Sequence, residues 1–159
     1  MSTFEHNVIV DRPIEEVFEF MHNPANDPLW QPMLAESRKV SEGPIGVGTV
    51  FAEVRHFLGK RLEWTFEVTE YEPPRKSSVR SKSSPIPFDG SYILEPAGGG
   101  TSVTIRGEMN AHGFFKLAEP VFARLAQREL ESNAGHLKDV LEAGLATKEP
   151  VGAAGGAVA

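Results

Sequence analysis

Along Thr3–Asp11 apolar and polar residues alternate, with Phe4, Val8 and Val10 on one parity, the pattern of a half-buried strand. Pro13 follows, a residue suited to the start of a helix because its missing N–H is not needed there. Ile14, Val17, Phe18 and Met21 then recur at i, i+3, i+4 and i+7, while Glu15, Glu16 and Glu19 point elsewhere. This predicts a short amphipathic helix with its acids near the positive end of the dipole. Asn23-Pro24 ends it, and Asn26–Trp30 reads as a second, shorter helical turn.

From Met33 to Met109 the period is that of strands. The expected spans are Met33–Ser41, Thr49–Leu58, Arg61–Glu72, Ser77–Ser83, Asp89–Glu95 and Ser102–Ala111. Gly and Pro clusters punctuate them, and such short connections favour an antiparallel meander. Phe114–Leu145 returns to helical spacing. Phe122, Ala126, Leu130, Leu137, Val140 and Leu141 share one face, with Arg124, Arg128, Glu131, Lys138 and Glu142 opposite. Pro120 lies inside this stretch and is expected to divide or kink it, since an interior proline costs about 3 kcal/mol.

The predicted order is strand, two short helices, six strands and a long helix. Two short helices cannot cover one face of a seven-stranded antiparallel sheet. The C-terminal helix, about 36 Å long beyond Pro120, is the element able to do so. An α+β architecture follows: a curved sheet gripping a long helix, with a pocket between them. Residues 1–146 form the predicted domain, and the Gly/Ala-rich stretch 147–159 is expected to be a disordered tail.

Composition narrows the function classes. The chain has 159 residues, 40% hydrophobic and 24% charged, the balance of a globular protein. No apolar run approaches the roughly 20 residues of a membrane span. Met1–Arg12 has neither a basic start nor an apolar core, so a signal peptide is not expected there and a cytoplasmic location is. The absence of cysteine removes disulfides, thiolate-bound metals and thiol catalysis. A net charge of −6 argues against a nucleic-acid surface.

The element order, together with Val10–Phe18 and its Pro-x-x-x-Val-Phe core, Asn23-Pro24 followed by Trp30, and Gly46-x-Gly48-Thr49, resembles the START-like (SRPBCC) superfamily. Arg61-Leu62-Glu63-Trp64 running on to Val68–Pro73, and Leu137-Lys138-x-x-Leu141-Glu142, extend the similarity over about residues 1–146. Within that superfamily the chain looks most like the bacterial polyketide cyclase/dehydrase branch. The resemblance implies a helix-grip fold and an internal cavity for an apolar ligand. Its members include cyclases, lipid carriers and chaperone activators, so it carries fold further than function. Aromatic polyketide cyclases of this kind place a cavity Tyr and a cavity Arg near the positions of Ser37 and Val68 here, and a cavity Asn at Asn133. One match of three weakens the case for ring closure.

Asn133 lies inside the apolar stripe of the long helix, where an unpartnered amide costs about 1–3 kcal/mol. It must meet strand backbone, water or ligand. Glu129 borders the same stripe. Trp30, Met33, Trp64, Phe66, Tyr92 and Leu137 are the other expected cavity residues, with Leu62, Trp64, Phe66 and Val68 alternating inward. What joins them depends on the hairpin at Gly59-Lys60. A two-residue loop brings Phe51, Glu53, Arg55 and Phe57 to the Trp64 face, making Glu53 and Arg55 a buried charged pair suited to proton transfer or anion binding. A three-residue loop with a bulge brings Ala52, Val54, His56 and Leu58 instead. Both remain open, the second being the blander and the expected one. Asp89, in Pro-Phe-Asp-Gly, reads as a turn or strand-edge residue.

His6, His22, His112 and His136 have no metal spacing, and no phosphate loop or nucleophile elbow occurs. No metal or cofactor is expected. The leading expectation is a binding module for a lipid, polyketide, isoprenoid or steroid-like molecule, as a monomer or homodimer. A cyclase or dehydratase using Asn133, Tyr92 and one of Glu53, Arg55 or His56 is the alternative. A protein-interaction role is the third and requires an exposed apolar patch.

Overall fold

The structure is a computed structural model that describes residues 1–57, 59–84, 86–113 and 115–144. The tail expected over 147–159 lies outside the described residues. Strand β1 (Ser2–Val10) leads into α1 (Ile14–Met21), a 3-10 turn (Pro24–Asn26) and α2 (Asp27–Trp30). Strands β2 (Leu34–Lys39), β3 (Val50–Phe57), β4 (Lys60–Glu72), β5 (Lys76–Ser83), β6 (Phe88–Ala97) and β7 (Gly100–Met109) follow, and α3 spans Phe115–Glu142.

All strand pairs are antiparallel, in the order β1-β7-β6-β5-β4-β3-β2. The sheet curls into a half-barrel with the long helix in its grip, the helix-grip fold. The meander is the local consequence of the Gly and Pro turns. Only β1 travels far, crossing to pair with β7 over its whole length.

The apolar stripe of α3 enters the core as its spacing predicts. Ala134, Leu137 and Leu141 pack with Val17, Phe18, Phe20 and Met21 of α1, Trp30 of α2, and Val10, Leu94, Val103 and Ile105 of the sheet. Pro120 does not divide the helix, which runs unbroken from Phe115 to Glu142. The carbonyl that loses its partner at Pro120 belongs to the first turn, and Lys116 and Pro120 are both exposed, so water can serve it. At the other end Arg12 donates from Nε to the Leu141 carbonyl (3.1 Å) and from Nη2 to that of Glu142 (2.9 Å). These are final-turn acceptors without helical partners.

Glycine shapes the sheet at one place in particular. Gly90 and Gly107 are paired across β6 and β7, and Gly107 is paired with Phe4 of β1. A Cβ on Gly107 would lie 2.2 Å from the Phe4 ring, and one on Gly90 would lie 2.9 Å from the Phe88 ring. The two rings stack at 6.2 Å over the bare backbone.

Candidate functional site

The register between β3 and β4 decides what faces inward. Phe57 pairs with Lys60, Arg55 with Leu62, Glu53 with Trp64 and Phe51 with Phe66. The connection is therefore the two-residue loop, and the expected register with Ala52, Val54, His56 and Leu58 inside is overturned, Leu58 itself lying outside the described residues. His56 is exposed. Ala52 and Val54 are buried all the same, on the outer face. There Arg38–Glu63 (3.7 Å) and Arg61–Glu36 (3.6 Å) span from β2 to β4 across the strand between them. Long side chains cover apolar residues on that side with their stems.

Between the concave face and α3 lies a cavity of about 240 Å³. Its wall includes Phe4, Phe51, Trp64, Phe66, Val68, Tyr71, Val79, Phe88, Tyr92 and Ile105 from the sheet, and Ala126, Glu129, Leu130 and Asn133 from α3. Trp30, Ser37, Glu53 and Arg55 line it too. Met33 and Leu137 do not. Leu137 is wholly buried among core residues one turn beyond Asn133, and Met33 sits before β2, its carbonyl accepting from the His56 N–H.

The polar end is built around Arg55. Its Nη1 lies 2.6 Å from Glu129 Oε1, and its Nη2 donates to Gln31 Oε1 at 3.0 Å and to Glu53 Oε2 at 3.1 Å, with Nε 3.3 Å from the same Glu53 oxygen. One guanidinium thus joins β3, α3 and the residue that follows α2. Burial works against its charge, but the neighbouring Glu53 and Glu129 carboxylates outweigh that and raise its pKa. Asp27 completes the cluster, accepting from Ser37 Oγ at 2.8 Å. Burial, with repulsion from Glu53, pushes its carboxyl well above the usual range, while the Ser37 bond and Arg55 pull the other way. Burial and then the Asp27 and Glu53 carboxylates raise the Tyr92 phenol strongly, so it stays protonated.

Sequence reasoning missed Asp27, Gln31, His22 and Tyr71. Asp27, Trp30 and Gln31 fall at i, i+3 and i+4 along one short helical turn, and that spacing was a usable signal. His22 closes α1 with Nδ1 2.7 Å from the Phe18 carbonyl and Nε2 2.6 Å from Ser77 Oγ. Desolvation, partly offset by the Phe18 bond, lowers its pKa to about 4. Its ring is neutral at pH 7, with Nδ1–H donating and Nε2 accepting. Tyr71 faces inward because a bulge between Val68 and Glu70 reverses the parity of β4, which nothing in the alternation announces.

Several polar groups at the wall, the Trp30 indole N–H among them, have no protein partner among the described residues. The Trp64 indole N–H is buried without an acceptor. The Asn133 amide and the Tyr92 hydroxyl line the cavity and make no hydrogen bond. Asp89 instead stands at a pairing with Glu108 and binds Arg80 at 3.0 Å, on the outside. Among the described residues no group of three or more His, Asp or Glu side chains could hold a metal ion, and no helix is long and apolar enough to cross a membrane.

Residues 1–142 match the family model described as polyketide cyclase / dehydrase and lipid transport. The chain belongs to this family. Among solved structures it is similar to TTHA0849 from Thermus thermophilus, at 18% identity and a TM-score of 0.77 over 90% of this chain and 99% of that one. It is also similar to the di-domain ARO/CYC BexL from the BE-7585A biosynthetic pathway, at 21% identity and a TM-score of 0.70, covering 89% of this chain and 48% of BexL. Ara h 8.0201 aligns at 17% identity with a TM-score of 0.61, over 86% of this chain and 97% of its own. At these identities the likeness concerns the polyketide cyclase/dehydrase fold. No curated protein matches the chain.

Proposed function

We propose that this member of the polyketide cyclase/dehydrase family binds a mostly apolar small molecule bearing oxygen, of the lipid, polyketide, isoprenoid or steroid-like kind, between the sheet and α3. The observation that carries this reading is the presence of unpartnered groups on an otherwise largely apolar wall, Trp30 Nε1–H, Trp64 Nε1–H, the Tyr92 hydroxyl and the Asn133 amide among them. Buried polar groups without partners cost free energy, and a ligand carbonyl or hydroxyl would supply them. Apolar surface gives such a ligand its affinity and a few fixed polar groups its orientation. The reading extends to a cytoplasmic protein working as a monomer or homodimer without a cofactor.

Native mass spectrometry of the mildly purified full chain tests this by seeking a retained small molecule. Trp64→Ala is the matching variant, and it should weaken binding of a neutral apolar fluorophore. Equal binding by a still-folded variant would move the site elsewhere.

A cyclase or dehydratase activity is the second reading. It is favoured by the meeting of Arg55, Tyr92 and a high-pKa Asp27 at one end of the cavity, a guanidinium and a phenol supplied by strands other than those the family resemblance pointed to. Against it, Arg55 already donates to Glu53, Glu129 and Gln31. A group so occupied stabilises a developing enolate less than a free one would.

A further inference from the structure

We infer that the cavity selects ligands whose polar end is uncharged and turns away carboxylates such as free fatty acids. This rests on the ligand-binding reading and names the chemistry of its polar end.

The charge balance inside the cavity is unequal. Even with burial pushing Asp27 toward its neutral form, Glu53 and Glu129 bring two carboxylates to the wall, and Arg55 is the cation between them. Arg55 is already engaged: Nη1 with Glu129, Nη2 with Gln31 and Glu53, Nε with Glu53. Arg106 borders the cavity as well, but it alternates with the inward Ile105, is half exposed, and lies 3.4 Å from Glu108. His22 is held neutral between the Phe18 carbonyl and the Ser77 hydroxyl. An entering carboxylate would find no free cation among the described residues of the wall and would face like charges on largely buried side chains, where such repulsion is less screened than at the surface.

The groups with unused capacity are neutral. Trp64 Nε1–H and the Tyr92 O–H can donate, and the Asn133 amide can donate or accept. They match a ketone, ester, quinone or phenol oxygen. An ammonium would approach Glu53 and Glu129 against the charge of Arg55, which already holds one oxygen of each, and would surrender its hydration on entering.

The test uses three ten-carbon ligands on the full chain: a methyl ketone, the matching carboxylate and the matching primary amine. Each displaces the neutral fluorophore N-phenylnaphthylamine at pH 7.5, from the unsubstituted chain and from Glu129→Gln, with thermal melts showing that both are folded. The ketone should bind at least about tenfold more tightly than the carboxylate, as one buried like-charge contact requires. Glu129→Gln removes one negative charge and leaves Arg55 Nη1 a neutral amide acceptor in place of a counter-ion, so that gap should narrow by about tenfold. A carboxylate or amine that binds as tightly as the ketone overturns the inference. So does a gap unchanged in Glu129→Gln, because the preference would then not arise from these carboxylates. Failure of all three to displace a bound fluorophore, or of the fluorophore to bind, would defeat the ligand-binding reading itself and this inference with it.

Discussion

Arg55 Nη1 and Glu129 Oε1 stand 2.6 Å apart, tying the middle of β3 to α3 across the width of the cavity. The pair lies 74 positions apart in sequence and is largely buried, with side chains 20% and 27% exposed. Removing one partner of such a pair leaves the other charged and dry. Arg55→Leu should therefore cost about 3 kcal/mol or more, because Glu53 and Glu129 both lose their cation. Adding Glu53→Gln and Glu129→Gln should recover most of the loss. Urea denaturation of the single and triple variants checks this, and equal stability of the two would show that the cluster is not coupled.

His22 makes stability depend on pH. Its folded-state pKa is depressed to about 4 against about 6.5 in the unfolded chain, so the unfolded state binds more protons between those values. Stability is then complete above about pH 6.5 and falls as pH drops toward 4. The loss is on the order of 3 kcal/mol. Denaturation curves at intervals from pH 7.5 to 4 should show this decline in the unsubstituted chain and a flatter one in His22→Gln. Parallel curves would assign the acid sensitivity to other groups.

Asn133→Leu separates a structural amide from one that serves a ligand. The Asn133 side chain has no hydrogen-bond partner among the described residues, so its loss orphans no protein group. Folding stability should change by less than about 1 kcal/mol. Affinity for a carbonyl-bearing ligand should fall about fivefold or more, while that for a hydrocarbon of equal size should hold. Calorimetry with the matched pair reads the difference. A large drop in melting temperature with unchanged affinities would make the amide structural.

Gly107→Ala tests the cavity floor. The added methyl, its place set by the backbone, would fall 2.2 Å from the Phe4 ring. Phe4 must move, disturbing its stack with Phe88. A cost of about 1–3 kcal/mol is expected for such overpacking, with loss of fluorophore binding because both rings line the cavity. Unchanged stability would mean that Phe4 has room to withdraw.

The elements and most of their strand partners follow from the order of residues alone. Periods of two and 3.6 are local properties, and Phe4, Val8 and Val10 or Leu130 and Leu137 declare them without knowledge of the rest of the chain. Short Gly and Pro connections then made the meander nearly unavoidable, and the size of the uncovered sheet called for α3. Tertiary structure decided the register of the β3–β4 hairpin, because both parities of β3 contain residues that can be buried. Ala52 and Val54 are covered from outside by ion pairs across three strands, which alternation cannot reveal. It also decided Tyr71, where one bulge reverses the face of β4. The meeting of Asp27, Arg55 and Glu129 belongs to tertiary structure as well. Their positions are remote in the chain, and only the closing of α2 and α3 over the sheet offsets the burial of the three with hydrogen bonds and opposite charge.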